Sequence, residues 1–262
     1  MSMLDLLRWH LLKTEEQVLR STHQAIERVA AFDLDGTLLT GDIGDAVFAY
    51  LILEGRRLTL TWREYQHLVR THRSKAYRAV VEAMAGLEIK TVVQATSAVI
   101  NLAKDYITLG SDRVRIPKPR PLLSQFVSLL HEFHYQVFVI SASNHISVQH
   151  VAQTWFNIPP SHAFGIQGRI REGRLTSELV TPVPVGPGKA EVFKLVSGSA
   201  LPLITGTDSA LDIPLLRLTH PGGFSLWVGE NHRDYNVVLE NAKAGQKFVF
   251  AGSDEEPGSD EY

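Results

Sequence analysis

The chain contains no cysteine in its 262 residues. Disulfides, thiolate metal sites and cysteine nucleophiles are therefore excluded, any metal falls to oxygen or imidazole ligands, and a reducing compartment fits. The eleven histidines include no His-x-x-x-His pair, so imidazole metal binding has no motif behind it. Long apolar runs are missing as well. None approaches the ~20 residues that a membrane span requires, and Asp5 and Arg8 charge the N-terminal stretch that a secretory signal keeps apolar. The expectation is a soluble, cytoplasmic protein without an address segment or a membrane span. A strong charge of one sign is also lacking. The formal net charge is −2, but the last ten residues, SDEEPGSDEY, hold five acids and no base, so the body stands at +3 (−2 plus 5). A balance this mild excludes nucleic acid as the main partner, and the acidic stretch 252–262 reads as a disordered, solubilising tail.

What is present is a chain 44% hydrophobic and 21% charged, enough for one large core or a core with a smaller appended domain. Leu4, Leu7, Leu11 and Leu12 fall near helical spacing, so the extension 1–28 is expected to form one or two amphipathic helices packed on the body. RVAAF then reads as a short buried strand ending at Asp33. From about Gly44 to Arg115 the pattern is helical, with no strand in it. After IPKPRP, helix and strand patterns alternate: the apolar runs QVFVI, HAFGI, LPLIT and FSLWV are read as strands, the last of them final, and GRIREGRLT as a hairpin turning at Glu172-Gly173. The fold class predicted is α/β, a Rossmann-like parallel sheet with helices on both faces, built from residues 1–43 and 116–251. An all-helical cap, 44–115, is inserted into it.

In open parallel sheets the working crevice lies beyond the carboxyl ends of the strands. Three predicted strands end in polar residues: the first in Asp33 and Asp35, the second in Ser141, the third in Asp208 and Asp212. Each alone reads as a turn, since Asp, Gly and Ser are ordinary turn residues. Their joint occurrence does not. DLDGT, then a strand ending in Ser141, then Lys189 opening a helix, then GTDSALD, resembles in order and spacing the four-motif signature of the haloacid dehalogenase superfamily of phosphohydrolases. The helical insertion resembles the cap of the phosphoserine-phosphatase-like branch.

The residue types suit phosphate chemistry. A phosphate monoester repels nucleophiles through its own negative oxygens, so its charge has to be neutralised first. Magnesium, which uses one or two carboxylates with substrate phosphate and water, suits that task. The resemblance implies that Asp33 and Asp208 supply side-chain oxygens to Mg2+, Asp35 its backbone carbonyl, and Asp212 support behind them. It implies Asp33 as nucleophile and Asp35 as general acid and base. It also implies phosphate contacts from Ser141 and Lys189, with Gly36 letting the loop turn close to phosphate and Thr37 steadying it. Asp35, two residues after the nucleophile, favours phosphatase over dehalogenase chemistry.

The substrate is read as a small phosphomonoester. Asp42, nine residues after Asp33, and Arg78 on the cap resemble the phosphoserine-binding acid and arginine, while Ala142, Ser143, Thr207 and Leu211 depart from that pattern. Phosphocholine or lipid-derived phosphates therefore stay open, as does phosphosugar mutation, and Trp62, Tyr65 or Tyr77 offer faces for a quaternary ammonium. Arg73, Lys75 and Arg78 equally fit a solvated helix face. GPGKAE imitates the end of a P-loop, but Val183 and Ala190 stand where that motif needs Gly and Ser or Thr, which leaves a P-loop-like nucleotide-binding protein as the remote alternative.

Overall fold

The apolar run VAAF forms β1 (Val29–Phe32), and all four side chains are buried. An uninterrupted apolar run is what a strand covered on both faces requires. On one side of β1 lie β2 (Gln136–Asn144) and β3 (Ala163–Ile166); on the other lie β4 (Ile204–Thr207), β5 (Phe224–Val228) and β6 (Lys247–Ala251). The order is β6-β5-β4-β1-β2-β3, and every neighbouring pair is parallel. The protein was analysed as a computed structural model that describes residues 2–22, 27–198, 200–229 and 232–251. The acidic stretch read above as a tail lies outside the described residues.

Helices follow in chain order: α1 (Met3–Thr22), α2 (Ile43–Leu53), α3 (Trp62–Thr71), α4 (Arg73–Ala83), α5 (Ile89–Ile100), α6 (Pro121–Glu132), α7 (His145–Phe156), α8 (Pro187–Val196), α9 (Ile213–Leu216) and α10 (His232–Glu240). Alternation along the strands divides the core between the two sheet faces. Ala30, Phe32, Val137 and Val139 face one way, packed with Leu7 and Leu11 of α1 and Leu123 and Phe126 of α6. Val29, Ala31, Phe138 and Ile140 face the other, packed with Val192 and Phe193 of α8 and Leu215 of α9. Buried residues of α2, α4 and α5 continue the first of these cores without a break. Among the described residues no helix is long and apolar enough to cross a membrane.

The fold class expected from the sequence is the one observed, with differences in detail. Among its described residues the N-terminal extension carries one helix of 20 residues, α1, within the one or two expected. The stretch expected to be all helix ends at Ile100, and Tyr106–Leu109 pairs antiparallel with Asp112–Arg115. Ile107 and Val114 are the buried pair of this short hairpin, so its signal is a two-residue alternation lost beside four helices. A sixth strand, β6, also follows the one expected to be last.

The second hairpin, Gly168–Arg171 with Arg174–Leu179, turns at Glu172 (φ 50°) and Gly173 (φ 75°) as expected. It reaches the loop between α4 and α5: Gly86 N–H donates to the Leu175 carbonyl at 2.8 Å, and Leu175 N–H to the Leu87 carbonyl at 2.9 Å. Arg174 adds Nη1 to the Gly86 carbonyl and Nη2 to Glu88, both at 2.8 Å.

Candidate active site

β1 neighbours β2 and β4, and the chain departs from it in opposite directions on its two sides. This is the switch point at which an open sheet leaves a crevice. Register aligns the three strand ends, with Phe32 opposite Val139 and Gly206. Asp33 follows Phe32 and is 7% exposed. Its Oδ1 accepts from Leu34 N–H at 2.7 Å and from Lys189 Nζ at 2.8 Å. Its Oδ2 has no hydrogen-bond partner among the described residues.

Lys189, near the start of α8, is 4% exposed and also donates to Asp212 Oδ2 at 2.8 Å. Thr207 donates to that same Asp212 oxygen at 2.7 Å. Leu34–Leu38 form one wide turn closed by Leu39 N–H on the Leu34 carbonyl. Within it Gly36 has φ +75°, and a Cβ there would lie 2.2 Å from Asp208 Oδ2. Only glycine fits. Gly36→Ala is expected to destabilise the fold by about 1–3 kcal/mol in denaturant unfolding, from left-handed strain and the displaced Asp208.

Asp35 is held by three donors: Ile43 N–H on Oδ1 at 2.7 Å, and Ser141 and Ser143 hydroxyls on Oδ2, each at 2.8 Å. Asp42 caps α2, accepting from Asp45 N–H at 2.9 Å, and Tyr65 donates its hydroxyl to Asp45. Arg73 donates to the Tyr77 hydroxyl at 2.6 Å. Asp33, Asp35, Lys189 and Asp208 line one cavity of about 350 Å³ together with Asp42, Asp45, Trp62, Arg73 and Tyr77.

The profile of the haloacid dehalogenase-like hydrolases matches residues 30–217, more than two thirds of the chain. The chain belongs to that family. Its fold is similar to that of a protein of unknown function from Bordetella pertussis Tohama I, at 17% identity and a TM-score of 0.63 over 86% of this chain and 99% of that one. It is also similar to a substrate-bound phosphoserine phosphatase, at 16% identity and a TM-score of 0.55 over 86% and 94%. A probable phosphoserine phosphatase from Vibrio cholerae matches at 14% identity and a TM-score of 0.55 over 89% and 67%. No curated protein sequence matches the chain significantly.

In this hydrolase the cavity gathers Asp33, Asp35, Gly36, Asp42, Ala142, Lys189, Asp208 and Asp212 from the residues singled out by sequence. Three others lie differently. Ser141, expected to touch phosphate, is fully buried and gives its hydroxyl to Asp35. Thr37, also fully buried, donates to Asp208 Oδ1 at 2.8 Å and so steadies the loop from behind. Arg78 is exposed and does not line the cavity; Arg73 does. On α4, Tyr77 follows Arg73 by four residues and shares its face, whereas Arg78 is turned about 140° from Arg73 at ~100° per residue.

Sequence reasoning missed Asp45 and Arg120, and marked Ser143 only as a departure from the phosphoserine pattern. Arg120 reaches the Gly36 carbonyl through Nη2 at 3.1 Å and Nε at 3.3 Å, clamping the turn from the start of α6. Nothing in KPRP signals that contact.

Charge in the hydrolase site is unbalanced. Burial pushes the Asp33 carboxyl well above its ordinary range, Lys189 opposes this, and Asp212, Asp208 and Asp35 add to it. Burial likewise raises Asp208. It works against the Lys189 charge, yet Asp212 and Asp33 outweigh it and hold the ammonium above its usual value. Asp35 is pushed up to about 7, by burial first and Asp42 second, against its three donors.

A surplus of buried carboxylate over one lysine suits a hard cation with oxygen ligands. Among the described residues no three or more Asp, Glu, His or Cys side chains converge at ligand spacing. Asp33 and Asp208, both lining the cavity, offer the one or two carboxylates that magnesium uses together with phosphate and water. Asp212, read as support behind the metal-holding residues, accepts from Lys189 and Thr207 on Oδ2.

Proposed function

We propose that this hydrolase is a magnesium-dependent phosphatase that cleaves small phosphomonoesters through an aspartyl-phosphate on Asp33. The observation that carries the reading is the division between two carboxyls on one turn. Asp33 has one oxygen pinned by Leu34 N–H and Lys189 and the other unbonded among the described residues, which suits a nucleophile. Asp35, raised to about 7, suits a group that both gives and takes a proton.

Asp33 and Asp208 side chains and the Asp35 backbone carbonyl would hold the cation, which when bound neutralises phosphate charge. Asp33 then forms a bond to phosphorus as the ester P–O bond breaks, and the Asp35 proton passes to the leaving oxygen. In the second half a water oxygen bonds to phosphorus and its proton returns to Asp35. The Asp33–phosphorus link breaks, releasing inorganic phosphate. Lys189 steadies the negative oxygens throughout.

Asp42 and Asp45 beside Arg73 favour a leaving group carrying both an ammonium and an anion, a phosphoserine-like pattern. A second reading, a quaternary ammonium as in phosphocholine, is favoured by Trp62 and Tyr77 on the same wall.

The test is phosphate release from an aryl phosphate and a panel of small alkyl phosphates, with magnesium and after exhaustive chelation. Release is expected to stop on chelation and return with added magnesium, and in oxygen-18 water the phosphate should carry label. Undiminished release after chelation overturns the reading, and unlabelled phosphate indicates transfer to another acceptor.

A further inference from the structure

Ser143 stands near the end of β2 with its side chain facing inward, 5% exposed. A serine hydroxyl has one hydrogen to give and two lone pairs to receive. Here Oγ lies 2.8 Å from Asp35 Oδ2 and 3.3 Å from Asp42 Oδ1, while accepting Gly44 N–H at 3.1 Å. The close fit is built into the neighbour: a Cβ on residue 44 would lie 2.6 Å from that oxygen, and the chain has glycine there. The Ser143 backbone N–H also donates to Ser141 Oγ at 2.9 Å, so the main chain of one serine steadies the other hydroxyl that grips Asp35.

We propose that Ser143 is a positioning residue for proton transfer, seating the Asp35 carboxyl and tying it to Asp42 at the leaving-group end of the cavity. One hydrogen serves one carboxylate at a time. When a substrate donor satisfies Asp42, the Ser143 hydrogen belongs to Asp35 alone, and the proton-carrying group is best seated with a leaving group in place. When the cavity lacks that donor, Asp42 competes for the same hydrogen. A serine that merely filled space would have no such link between the two acids.

The proposal rests on the phosphatase reading, and the experiment separates the two. Ser143→Ala and Ser143→Thr are compared with wild type on an aryl phosphate, whose leaving group needs no proton, and on an alkyl phosphate, whose leaving group does. Ser143→Ala should lower the alkyl-to-aryl ratio of kcat roughly ten- to a hundredfold, as expected for a lost hydrogen bond to a charged group, with KM little moved. Ser143→Thr, which keeps the hydroxyl, should restore most of the ratio. Carbon-13 carboxyl resonances, read at one pH without substrate, should shift at both Asp35 and Asp42 in Ser143→Ala and stay in place at the exposed Asp5 of α1.

An unchanged ratio, equal loss on both esters, or a shift at only one of the two acids overturns the proposal. If Ser143→Ala does not fold, Ser143→Gly takes its place under the same criteria. A wild type that cleaves neither ester refutes the phosphatase reading, and the carboxyl shifts still decide whether the bridge exists.

Discussion

Asp33→Asn is expected to reduce turnover by about 10⁴-fold or more while leaving the melting temperature of the metal-free protein unchanged or higher. The first half follows from losing the attacking oxygen in a side chain of the same shape. The second follows from the charge surplus. Burial chiefly, and then Asp212, Asp208 and Asp35, lift the Asp33 carboxyl above its ordinary value despite Lys189. A carboxyl raised in the folded state stabilises the fold below its unfolded value, and that contribution is lost as pH rises through the folded value. Near neutral pH the Asp33 charge is thus a net liability to folding, and asparagine removes it. The metal-free wild type should gain stability as pH is lowered through this window, and Asp33→Asn should show a shallower gain. Activity assays and thermal unfolding over a pH series check both halves. A variant that lost activity and stability together would assign Asp33 a structural role.

Lys189→Met should show the opposite coupling, losing activity and stability at once. The lysine bonds Asp33 and Asp212 at 2.8 Å each, and all three side chains are almost wholly shielded from water. Removing one partner of a buried ionic group leaves uncompensated charge and costs about 3–5 kcal/mol, or a fall of roughly 6–20 °C in melting temperature for a domain of this size. Adding Asp212→Asn removes one of the two stranded charges and keeps an acceptor for Thr207. The double variant should regain part of the stability and none of the activity. Such a split would separate what the lysine does for folding from what it does for phosphate.

Asp33, Asp35 and Asp208 stand out in the sequence because they follow the ends of apolar runs, and a parallel sheet brings such ends to one edge, whereas Lys189 is singled out only by the resemblance. Contacts that cross the chain are not readable in this way. Ser143 sits in SASN like any turn serine, and its partner Asp35 is 108 positions away. Arg120 gives no sign that it reaches Gly36, 84 positions back. Arg78 looks as suitable as Arg73 until helix phase is fixed by what α4 packs against, which local composition does not reveal. β6 escapes because it is an edge strand of only five residues whose burial does not follow a clean alternation, with Lys247 and Phe250 exposed and Val249 and Ala251 buried. The resemblance implies Ser141 at the phosphate, and its hydroxyl is given to Asp35, 106 positions away, a contact that its place in the sequence does not announce.

The hairpin between Gly168 and Leu179 is stitched by backbone and Arg174 to the loop between α4 and α5. Two segments far apart in the chain are therefore fastened to each other by main-chain and side-chain bonds, and a change in one reaches the other although none of the fastened residues lines the cavity.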